Sequence, residues 1–417
     1  MPFMIELPWD PEVETPATIA IIGGGPTGIE AAIYARFLGY HVSIFETRRV
    51  AHRMHDWHDR PLAVTVAECT TPLGLAAIKA QNPEFEFPAP DKVWTGREFA
   101  DEYLIPLAKT DLLFDDIHFL SKVCDVSRCQ SHLGMLEDLQ ERCNDEFRLL
   151  IAGQHRGDWI SKADVVLDCR GCFQSQSGLG PGGGLAIGEK EFESHFLTHS
   201  VRDRKFEAKQ IRDKVVCLVG STWHATLFAQ EFWDARNDFS GSKLLWIVPE
   251  DRALWPANIR RLAELIQSDP AGPVQLLSCL GVDKIQRSEE GKWSVHCVRS
   301  DETITELTCD EFVRRTPGRK VSGFPELDCE RMRLPDFTDH RFVTCEPGYY
   351  RLQGDPNDTP IAQPSSVQNE NNDSMVAVGT SLKDCHLAIR DLFAMLGGRE
   401  NLDLYQIMAD NIQAGRV

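Results

Sequence analysis

The sequence predicts an α/β protein with parallel sheets, and three observations lead to that class. Residues 18–22 (TIAII) and 41–45 (HVSIF) are short β-branched runs, and the first has no polar alternation, which is typical of a strand buried on both faces. A glycine-rich turn and an alanine-rich segment, residues 29–38, separate the two runs. The same order of strand, glycine turn, helix and strand returns over residues 214–248. Two such units fit the length of 417 residues, which predicts about two or three domains.

The charge balance argues against two classes of partner. The chain has 44 lysine and arginine residues against 63 aspartate and glutamate residues, which gives a formal net charge of −19. Such a field repels phosphate backbones and anionic lipid, so we expect neither nucleic-acid nor membrane-surface binding. No apolar run reaches the roughly 18 residues that a membrane-spanning helix needs.

The cysteines indicate a reducing compartment. Their number is 13, and this odd count, spread along the chain, does not predict a compact disulfide framework. The first residues, MPFMIELPWD, lack the basic and apolar regions of a secretory signal. We therefore expect a cytoplasmic protein whose cysteines are mostly small buried hydrophobic residues.

The glycine turn after the first strand has the spacing Gly-x-Gly-x-x-Gly. In this pattern Gly23 allows the tight turn, Gly25 lets the backbone approach a diphosphate, and Gly28 lets the helix pack closely on the strand. Pro26 and Thr27 complete the loop at the start of the helix. The N–H groups of this helix N-terminus would hold the diphosphate. The pattern therefore predicts cofactor binding by these five residues.

An acidic residue ends the second strand where a dinucleotide needs one. Glu46 follows residues 41–45, and a carboxylate there accepts the ribose hydroxyls of an adenosine. The alternative is a plain glycine turn followed by a solvated glutamate. The correct elements on both sides favour binding of an adenosine diphosphate group.

The segment IIGGGPTGIEAAIYARFLGYHVSIFE, residues 21–46, resembles the FAD fingerprint of the two-dinucleotide-binding-domain flavoproteins, which include flavin monooxygenases and thioredoxin-reductase-like enzymes. The resemblance implies FAD on the first nucleotide fold and NADH or NADPH on an inserted second one. It also places Arg48, just beyond Glu46, beside the adenine. A solvated basic pair formed by Arg48 and Arg49 is the alternative.

The resemblance also implies a division of the chain. It predicts a Rossmann-like FAD-binding fold built from residues 1–205 and 326–417. Residues 206–325 form a second, inserted Rossmann-like domain of the NAD(P)-binding type. Residues 353–374 are rich in polar residues and predict a mobile loop.

In the resembled family the last strand of the FAD fold ends in Gly-Asp, and the aspartate binds FAD. Residues 375–379 predict that strand here, so Gly379 takes the glycine place and Thr380 the aspartate place. Ser381 is predicted to cap a helix over residues 382–396, whose N-terminus would face the flavin.

The second nucleotide motif is incomplete. Gly220 and Ala225 match the first and third small positions, but Thr222 stands where the second glycine would admit the diphosphate. After the following strand, Glu250 would favour NADH, whereas Arg252 would hold the 2′-phosphate of NADPH. The alternative is a domain kept for packing or for another ligand.

Two clusters contain side chains that could react. His52, His55 and His58 have helical spacing, but without further ligands they favour a loop near the flavin or an ordinary polar loop over a metal site, and we predict no metal. His58 and Asp56 are the first candidates for a side chain that assists the reaction; no catalytic residue is assigned.

Cys169 and Cys172 have the spacing of a redox dithiol. The resembled enzymes carry their dithiol elsewhere, so packing at a strand end is the alternative. The glycine-rich residues 178–188 predict either a close approach of another backbone or a flexible crossover.

These features together predict an FAD-dependent oxidoreductase. Its flavin would be reduced by NADH or NADPH and reoxidised by O₂ or by a small organic substrate, as in a monooxygenase or a reductase. Two alternatives stay open: a flavin- or nucleotide-binding protein without turnover, acting as a sensor or scaffold, and a dithiol reductase that uses Cys169 and Cys172.

Overall fold

The structure is a computed structural model, and it describes most of the chain. The described residues are 9–57, 61–130, 142–155, 157–170, 177–196, 211–234, 241–252, 255, 257–269, 272–316, 324, 343–352, 377–399 and 402–417. The chain forms two compact units. Unit 1 comprises Met1–Cys172, Val321–Asp355 and Val367–Val417, and unit 2 comprises Phe173–Lys320 and Pro356–Ser366.

The elements are numbered in chain order. The described strands are β1 Thr18–Ile22, β2 His41–Phe45, β3 Pro61–Thr65, β4 Val93–Thr95, β5 Ile117–His118, β6 Ser121–Arg128, β7 Phe147–Gly153, β8 Gly157–Ala163, β9 Val165–Asp168, β10 Val215–Val219, β11 Lys243–Pro249, β12 Val274–Cys279, β13 Gly281–Arg287, β14 Trp293–Val298, β15 Ile304–Cys309, β16 Glu311–Arg314, β17 Val343–Glu346 and β18 Tyr349–Arg351. The described α-helices are Pro26–Phe37, His52–Trp57, Val66–Cys69, Pro72–Gln81, Gly96–Phe99, Ile105–Ala108, Glu189–Phe192, Trp223–Asp234, Ala257–Ser268, Ala377–Leu396 and Leu404–Gln413. A π-helical segment, Ala100–Leu104, joins two of them.

Unit 1 is built in three layers around a sheet with the strand order β17-β18-β9-β1-β2-β5. The strands from β18 to β5 pair in parallel. Along β1, Ile19 and Ile21 join the core on the helical side, while Ala20 and Ile22 join the core formed with β6, β7 and β8. Both faces of β1 are therefore buried, as its unbroken apolar run predicts. The expected α/β class with parallel sheets is confirmed.

The helix Pro26–Phe37 is buried along most of its length, from Gly28 to Ala35. Its alanines allow this close packing because they add little volume. Thr95 and Glu98 have the spacing of a capping box in the sequence, and they form one at the start of Gly96–Phe99.

A buried carboxylic acid lies on the first helix, in a cluster that the sequence analysis missed. Glu30 is 1% exposed and accepts hydrogen bonds from the hydroxyls of Tyr103 and Thr71, the latter at 3.0 Å. Burial raises the pKa of Glu30 from 4.5 to about 7, although both hydrogen bonds oppose the shift. Burial, and to a smaller extent the negative charge of Glu30, raises the pKa of Tyr405 and of Cys69.

We expect Glu30→Gln to stabilise the protein more at pH 8 than at pH 5. Since the folded state raises this pKa from 4.5 to about 7, the stability that Glu30 contributes is full below pH 4.5 and falls as the pH rises to about 7. The glutamine stays neutral throughout, and its oxygen accepts from one of the two hydroxyls while its NH2 group can donate to the other. The gain over wild type should therefore grow up to pH 7, to about 3 kcal/mol, and then stay constant. Thermal unfolding in steps of pH measures it, and a gain that does not change with pH would contradict the assignment.

A buried ion triad connects the hairpin β17–β18 to the β6–β8 side of unit 1. Glu346 is fully buried and accepts from Arg128 Nε at 2.9 Å and from Arg142 Nε and Nη2, both at 2.9 Å. Both arginine side chains are 1% exposed. Arg128 also donates to two backbone carbonyls, of Asp145 and Pro347, and its guanidinium lies 3.8 Å from the centre of the Phe147 ring.

Unit 2 repeats the layered plan on a smaller sheet. Its parallel strands follow the order β12-β11-β10-β16. Val216 and Leu218 of β10 pack in a core with the helices Trp223–Asp234 and Ala257–Ser268, while Cys217 and Val219 join a core that includes the antiparallel strands β13–β15. The repeated order of strand, glycine turn, helix and strand that the sequence shows is therefore present.

The glycine-rich segment of residues 178–188 is a site of close backbone approach, which was one of the two expected alternatives. A Cβ on Gly178 would lie 1.9 Å from the carbonyl oxygen of Gly184. A Cβ on Gly188, whose φ is +83°, would lie 2.4 Å from the carbonyl oxygen of Ile285 on β13. The segment is bonded to β13, since Val282 N donates to Leu179 O at 2.9 Å.

These contacts explain where the two units divide. The segment belongs to unit 2, which begins at Phe173 and runs to Lys320. The predicted inserted domain was residues 206–325, so its start lies further along the chain than the observed one. Of the two alternatives for these glycines, the structure shows the close backbone approach, on β13, and not a flexible crossover. The predicted loop of residues 353–374 lies outside the described residues.

The cysteines in the described part of the chain are free, and seven of the ten are buried. Four of them, Cys217, Cys279, Cys297 and Cys309, lie in one core of unit 2. The expectation of mostly buried cysteines is confirmed for these residues. Within the same part of the chain, no helix is both long and apolar enough to cross a membrane.

Candidate dinucleotide-binding site

The three glycines of the Gly-x-Gly-x-x-Gly pattern after β1 differ in what a side chain would meet at each position. Gly23 has a φ of +110°, and a Cβ there would lie 2.8 Å from the carbonyl oxygen of Cys169. A Cβ on Gly28 would lie 1.9 Å from the carbonyl oxygen of Gly23. Gly25 differs, because its φ of −84° suits any residue and a Cβ there would meet no atom within 4 Å. The fold itself requires Gly23 and Gly28, while Gly25 leaves open space in front of the loop.

The helix that follows presents its N-terminus to this space. Gly25 is its N-cap, and no side chain caps it. Pro26 occupies the first turn without an N–H of its own, so the N–H groups of the next residues, beginning with Thr27, lack an intrahelical partner. Such an N-terminus, with the positive end of the helix dipole, suits a diphosphate.

Glu46 is held against the loop by three hydrogen bonds. Its Oε2 accepts from Gly24 N at 2.7 Å, and its Oε1 accepts from Arg48 N at 2.8 Å and from the Thr47 hydroxyl at 3.1 Å. A carboxylate has about four lone-pair positions, so acceptor capacity remains for ribose hydroxyls. The Arg48 side chain is exposed and contacts His52.

The loop lies at a topological switch point of the sheet. β1 pairs with β2 on one side and with β9 on the other, and all three run in parallel. In open α/β sheets, ligands bind at the carboxyl ends of the strands where the order reverses in this way. Gly23 begins the loop at the carboxyl end of β1, beside the residues that end β9.

A charged cluster that the sequence does not predict lies at the carboxyl ends of β9 and β18. Asp168 is fully buried and accepts from Arg170 Nε at 2.9 Å, Arg170 Nη2 at 2.7 Å and the Tyr349 hydroxyl at 2.7 Å. Arg351 Nε lies 3.7 Å from the same carboxylate. Burial opposes ionisation, but Arg170 and the other donors hold the pKa of Asp168 below its usual value. The only sequence signal was an aspartate at the end of an apolar strand.

The helix that follows the corresponding turn in unit 2 has a different N-terminus. Gly220 needs to be glycine, with a φ of +138° and a Cβ that would lie 2.0 Å from Arg315 O. At the place of the open glycine stands Thr222, whose hydroxyl accepts from Ala225 N at 3.2 Å and donates to Arg315 O at 2.8 Å. The position that is open in unit 1 is thus filled in unit 2 by a side chain that caps the helix.

Two residues of unit 2 that the sequence predicts to contact the nicotinamide cofactor, Glu250 and Arg252, contact other protein groups. Glu250 Oε2 accepts from Ser300 N at 3.1 Å. The guanidinium of Arg252 lies 5.3 Å from the centre of the Trp255 ring.

Comparison with known proteins agrees with this geometry. The profile of the pyridine nucleotide-disulphide oxidoreductase family matches residues 5–73, which include the loop and Glu46. No curated protein matches the chain by sequence.

Solved structures match over nearly the whole chain. The FAD-bound cadaverine monooxygenase of the desferrioxamine pathway from Erwinia amylovora is 13% identical, with a TM-score of 0.56 over 93% of this chain and 96% of that one. Bacillithiol disulfide reductase from Bacillus cereus is 14% identical, with a TM-score of 0.55 over 90% and 98%. The ornithine N-hydroxylase of Kutzneria sp. 744, with reduced FAD, NADP+ and L-ornithine, is 13% identical, with a TM-score of 0.54 over 96% and 100%.

The chain shares the fold of these solved structures, with two Rossmann-like units. The expected fold is thereby confirmed, with the first Rossmann-like unit split by the second. Residues 5–73 carry the part of this fold that is also recognised by sequence.

One predicted element of the flavoprotein fold is wrong. Residues 375–379 were expected to form a strand that ends at Gly379, but the helix Ala377–Leu396 already includes Gly379 and Thr380. Ser381 is therefore inside the helix and does not cap it. A short apolar run such as MVAVG cannot be distinguished by periodicity from the first turn of a helix, and the long buried face that follows favours continuation. Residues 375 and 376 lie outside the described residues.

The predicted reactive groups are only partly covered by the structure. His58 and Cys172 lie outside the described residues, and Asp56 lies within the helix His52–Trp57. Cys169 is 7% exposed, and burial raises the pKa of its thiol well above the usual value. No group of three or more metal-ligating residues occurs in the described part of the chain.

Proposed function

We propose that the protein binds FAD on unit 1 and acts as an FAD-dependent oxidoreductase. The observation that supports this most directly is the open space at Gly25. The fold gives no internal reason for glycine there, whereas it does for Gly23 and Gly28. A diphosphate that must approach the backbone provides the reason.

In this proposal each part of the site holds one part of the cofactor. The N–H groups of the Gly23–Gly28 loop and of the helix after it bind the diphosphate, and Glu46 binds the adenosine ribose. Arg48 lies beside the adenine. The first turn of the helix Ala377–Leu396, with Gly379 and Thr380, offers backbone N–H groups to the flavin half. The flavin supplies the electron-transfer chemistry, and the protein orients and shields it.

We further propose NADH or NADPH as the reductant, with unit 2 as its domain, and a small organic molecule or O₂ as the electron acceptor. Monooxygenase-like and reductase-like turnover both agree with the named relatives in fold. The negative net charge of −19 argues against nucleic acid and anionic membranes as partners. The odd cysteine count and the free, mostly buried described cysteines support a cytoplasmic location.

Flavin uptake and reduction test the proposal directly. The purified protein is mixed with FAD, the visible flavin band is recorded after removal of free cofactor, and NADH or NADPH is added without oxygen. We expect a yellow protein whose band bleaches with one of the two nucleotides. A protein that takes up no FAD would overturn the proposal.

Gly25→Ala should weaken FAD binding at least about tenfold while the protein remains folded. The new Cβ meets no protein atom, so the expected cost to folding is only about 1 kcal/mol, from a poorer helix N-cap. The same Cβ occupies space that the diphosphate needs. Titration of the apoprotein with FAD gives the affinity, and thermal unfolding without FAD gives the stability.

Gly184→Ala is the matched control, because its φ is −67° and its Cβ would lie 3.5 Å from the nearest protein atom. Gly184→Ala should change neither the affinity for FAD nor the stability of the apoprotein appreciably. Equal FAD affinity of wild type and Gly25→Ala would remove the main support for the site.

Thr222 favours a second candidate, a flavin-binding protein without nicotinamide turnover. Its hydroxyl already caps the helix where an NAD(P) diphosphate would bind. This candidate predicts a yellow protein that neither NADH nor NADPH bleaches, and whose flavin remains reducible by dithionite.

The dithiol alternative receives less support from the described residues. Cys169 is buried and its pKa is raised, so its thiol stays protonated and is a poor nucleophile. If the alternative holds, Cys172→Ser abolishes disulfide reduction; bleaching by nicotinamide that survives this change, without any disulfide reduction in wild type, contradicts it.

A further inference from the structure

Arg351 carries hydrogen-bonding capacity that the described protein does not use. It ends β18 and lies opposite Asp168 of β9. Its Nε and Nη2 are shielded from solvent, and neither has a hydrogen-bond partner among the described residues. The Nε–Asp168 separation of 3.7 Å is an ionic contact that exceeds hydrogen-bond length. Buried donors without partners are costly and rare, which points to a missing acceptor.

Asp168 cannot satisfy this guanidinium because other donors already occupy it. Arg170 binds both of its oxygens, and the Tyr349 hydroxyl binds Oδ2. Two guanidiniums therefore share one carboxylate, and the cluster carries a net charge of +1. In a protein of net charge −19, such a cluster is a local site for an anionic or electron-rich group.

The position of the cluster of Asp168, Arg170 and Arg351 indicates which half of the proposed cofactor would contact it. Glu46 follows β2 and takes the adenosine side, and the glycine loop follows β1 and takes the diphosphate. β9 and β18 continue the sheet on the opposite side of β1. With about 4.8 Å between neighbouring strands, the end of β18 lies roughly 10 Å from the end of β1. A dinucleotide that runs along this edge brings its flavin half, and not its ADP half, to Arg351.

We propose that Arg351, held in place by Asp168, donates to the electron-rich N1–C2=O edge of the bound flavin and stabilises the reduced, anionic ring. Arg170 donates to both oxygens of Asp168 through its Nε and Nη2 and acts through Asp168 as a positioning residue. The inference rests on the proposed FAD binding. It adds a charge-supplying residue from a strand far along the chain from the fingerprint segment.

The test is the reduction potential of the bound flavin in Arg351→Met. Loss of the positive charge should favour the oxidised over the reduced flavin about tenfold, which lowers the two-electron potential by about 30 mV. The potential is measured by equilibration with a reference dye. Affinity for ADP, measured on the apoprotein, should change less than about twofold, because ADP does not reach Arg351.

Two further variants keep the result interpretable. Arg351→Lys retains the charge and should keep most of the potential. Arg416→Met removes one positive charge from an exposed position near the C-terminus and should leave the potential unchanged. An unchanged potential in Arg351→Met overturns the inference, and so does an equal loss of ADP and FAD affinity, which would assign Arg351 to the diphosphate. If wild type takes up no FAD, the proposed function fails instead.

Discussion

Gly28→Ala is expected to abolish FAD binding and to destabilise unit 1. The added Cβ would lie 1.9 Å from the carbonyl oxygen of Gly23 and 3.4 Å from Ile21 Cγ2. The nearest atom is backbone, so no side-chain rotation can relieve the clash, and the helix must move away from β1. That movement opens the loop that would hold the diphosphate.

We expect FAD affinity to fall at least about 100-fold, equivalent to roughly 3 kcal/mol. Overpacking should cost about 1–3 kcal/mol of folding stability as well. Titration with FAD and thermal unfolding of the apoprotein measure the two effects separately. Gly25→Ala is the natural comparison, because it should lose affinity while keeping the fold. Wild-type behaviour of Gly28→Ala in both measurements would mean that the helix does not pack on the loop as described.

Glu346→Gln is expected to cause the largest loss of stability among the substitutions considered. It leaves the guanidiniums of Arg128 and Arg142, each 1% exposed, without their shared negative charge. Removing one partner of a buried ion pair costs about 3–5 kcal/mol, since the remaining charge stays buried and uncompensated. Denaturant unfolding of the apoprotein should show this loss.

Glu146→Gln provides the matched control for Glu346→Gln. Glu146 also forms an ion pair, at 2.7 Å with Lys162, but both side chains are about half exposed. Exposed pairs contribute about 0–1 kcal/mol, so this variant should unfold close to wild type. Similar losses in the two variants would show that burial does not set the strength of the Glu346 triad.

The sequence predicts the dinucleotide loop well because its constraints are local. β1 and β2 match residues 18–22 and 41–45, and close backbone contacts require glycine at Gly23 and Gly28 between them. A strand buried on both faces gives an unbroken apolar run, and close backbone contacts require glycine. Both signals lie within a few residues of the feature they predict.

The sequence predicts the other half of the site poorly because its contacts are long-range. Tyr349 and Asp168 are separated by 181 positions in the chain, yet they share a hydrogen bond at 2.7 Å. No spacing rule connects them; only the pairing of β18 with β9 does. The Glu30 cluster was missed for the same reason, since Tyr103 and Thr71 approach from other elements.

The prediction of strands is wrong in two places where the pattern of apolar and polar residues is ambiguous. β13 was not predicted because GVDKIQR mixes charged and apolar residues, and its partners are β14 and the glycine-rich segment. Near the start of the helix Ala377–Leu396, the short apolar run that ends at Gly379 predicts a strand instead of a helix. In both places tertiary pairing decided the local structure.

The four thiols in the core of unit 2 are built-in probes of how often that core opens. Cys217, Cys279, Cys297 and Cys309 are at most 3% exposed, so an alkylating reagent reaches them only when this core opens. Their modification rate, resolved by peptide mapping, would report the opening of unit 2 without any added label. Buried Cys69 would report unit 1 in the same sample, and exposed Cys124 would give the unprotected rate.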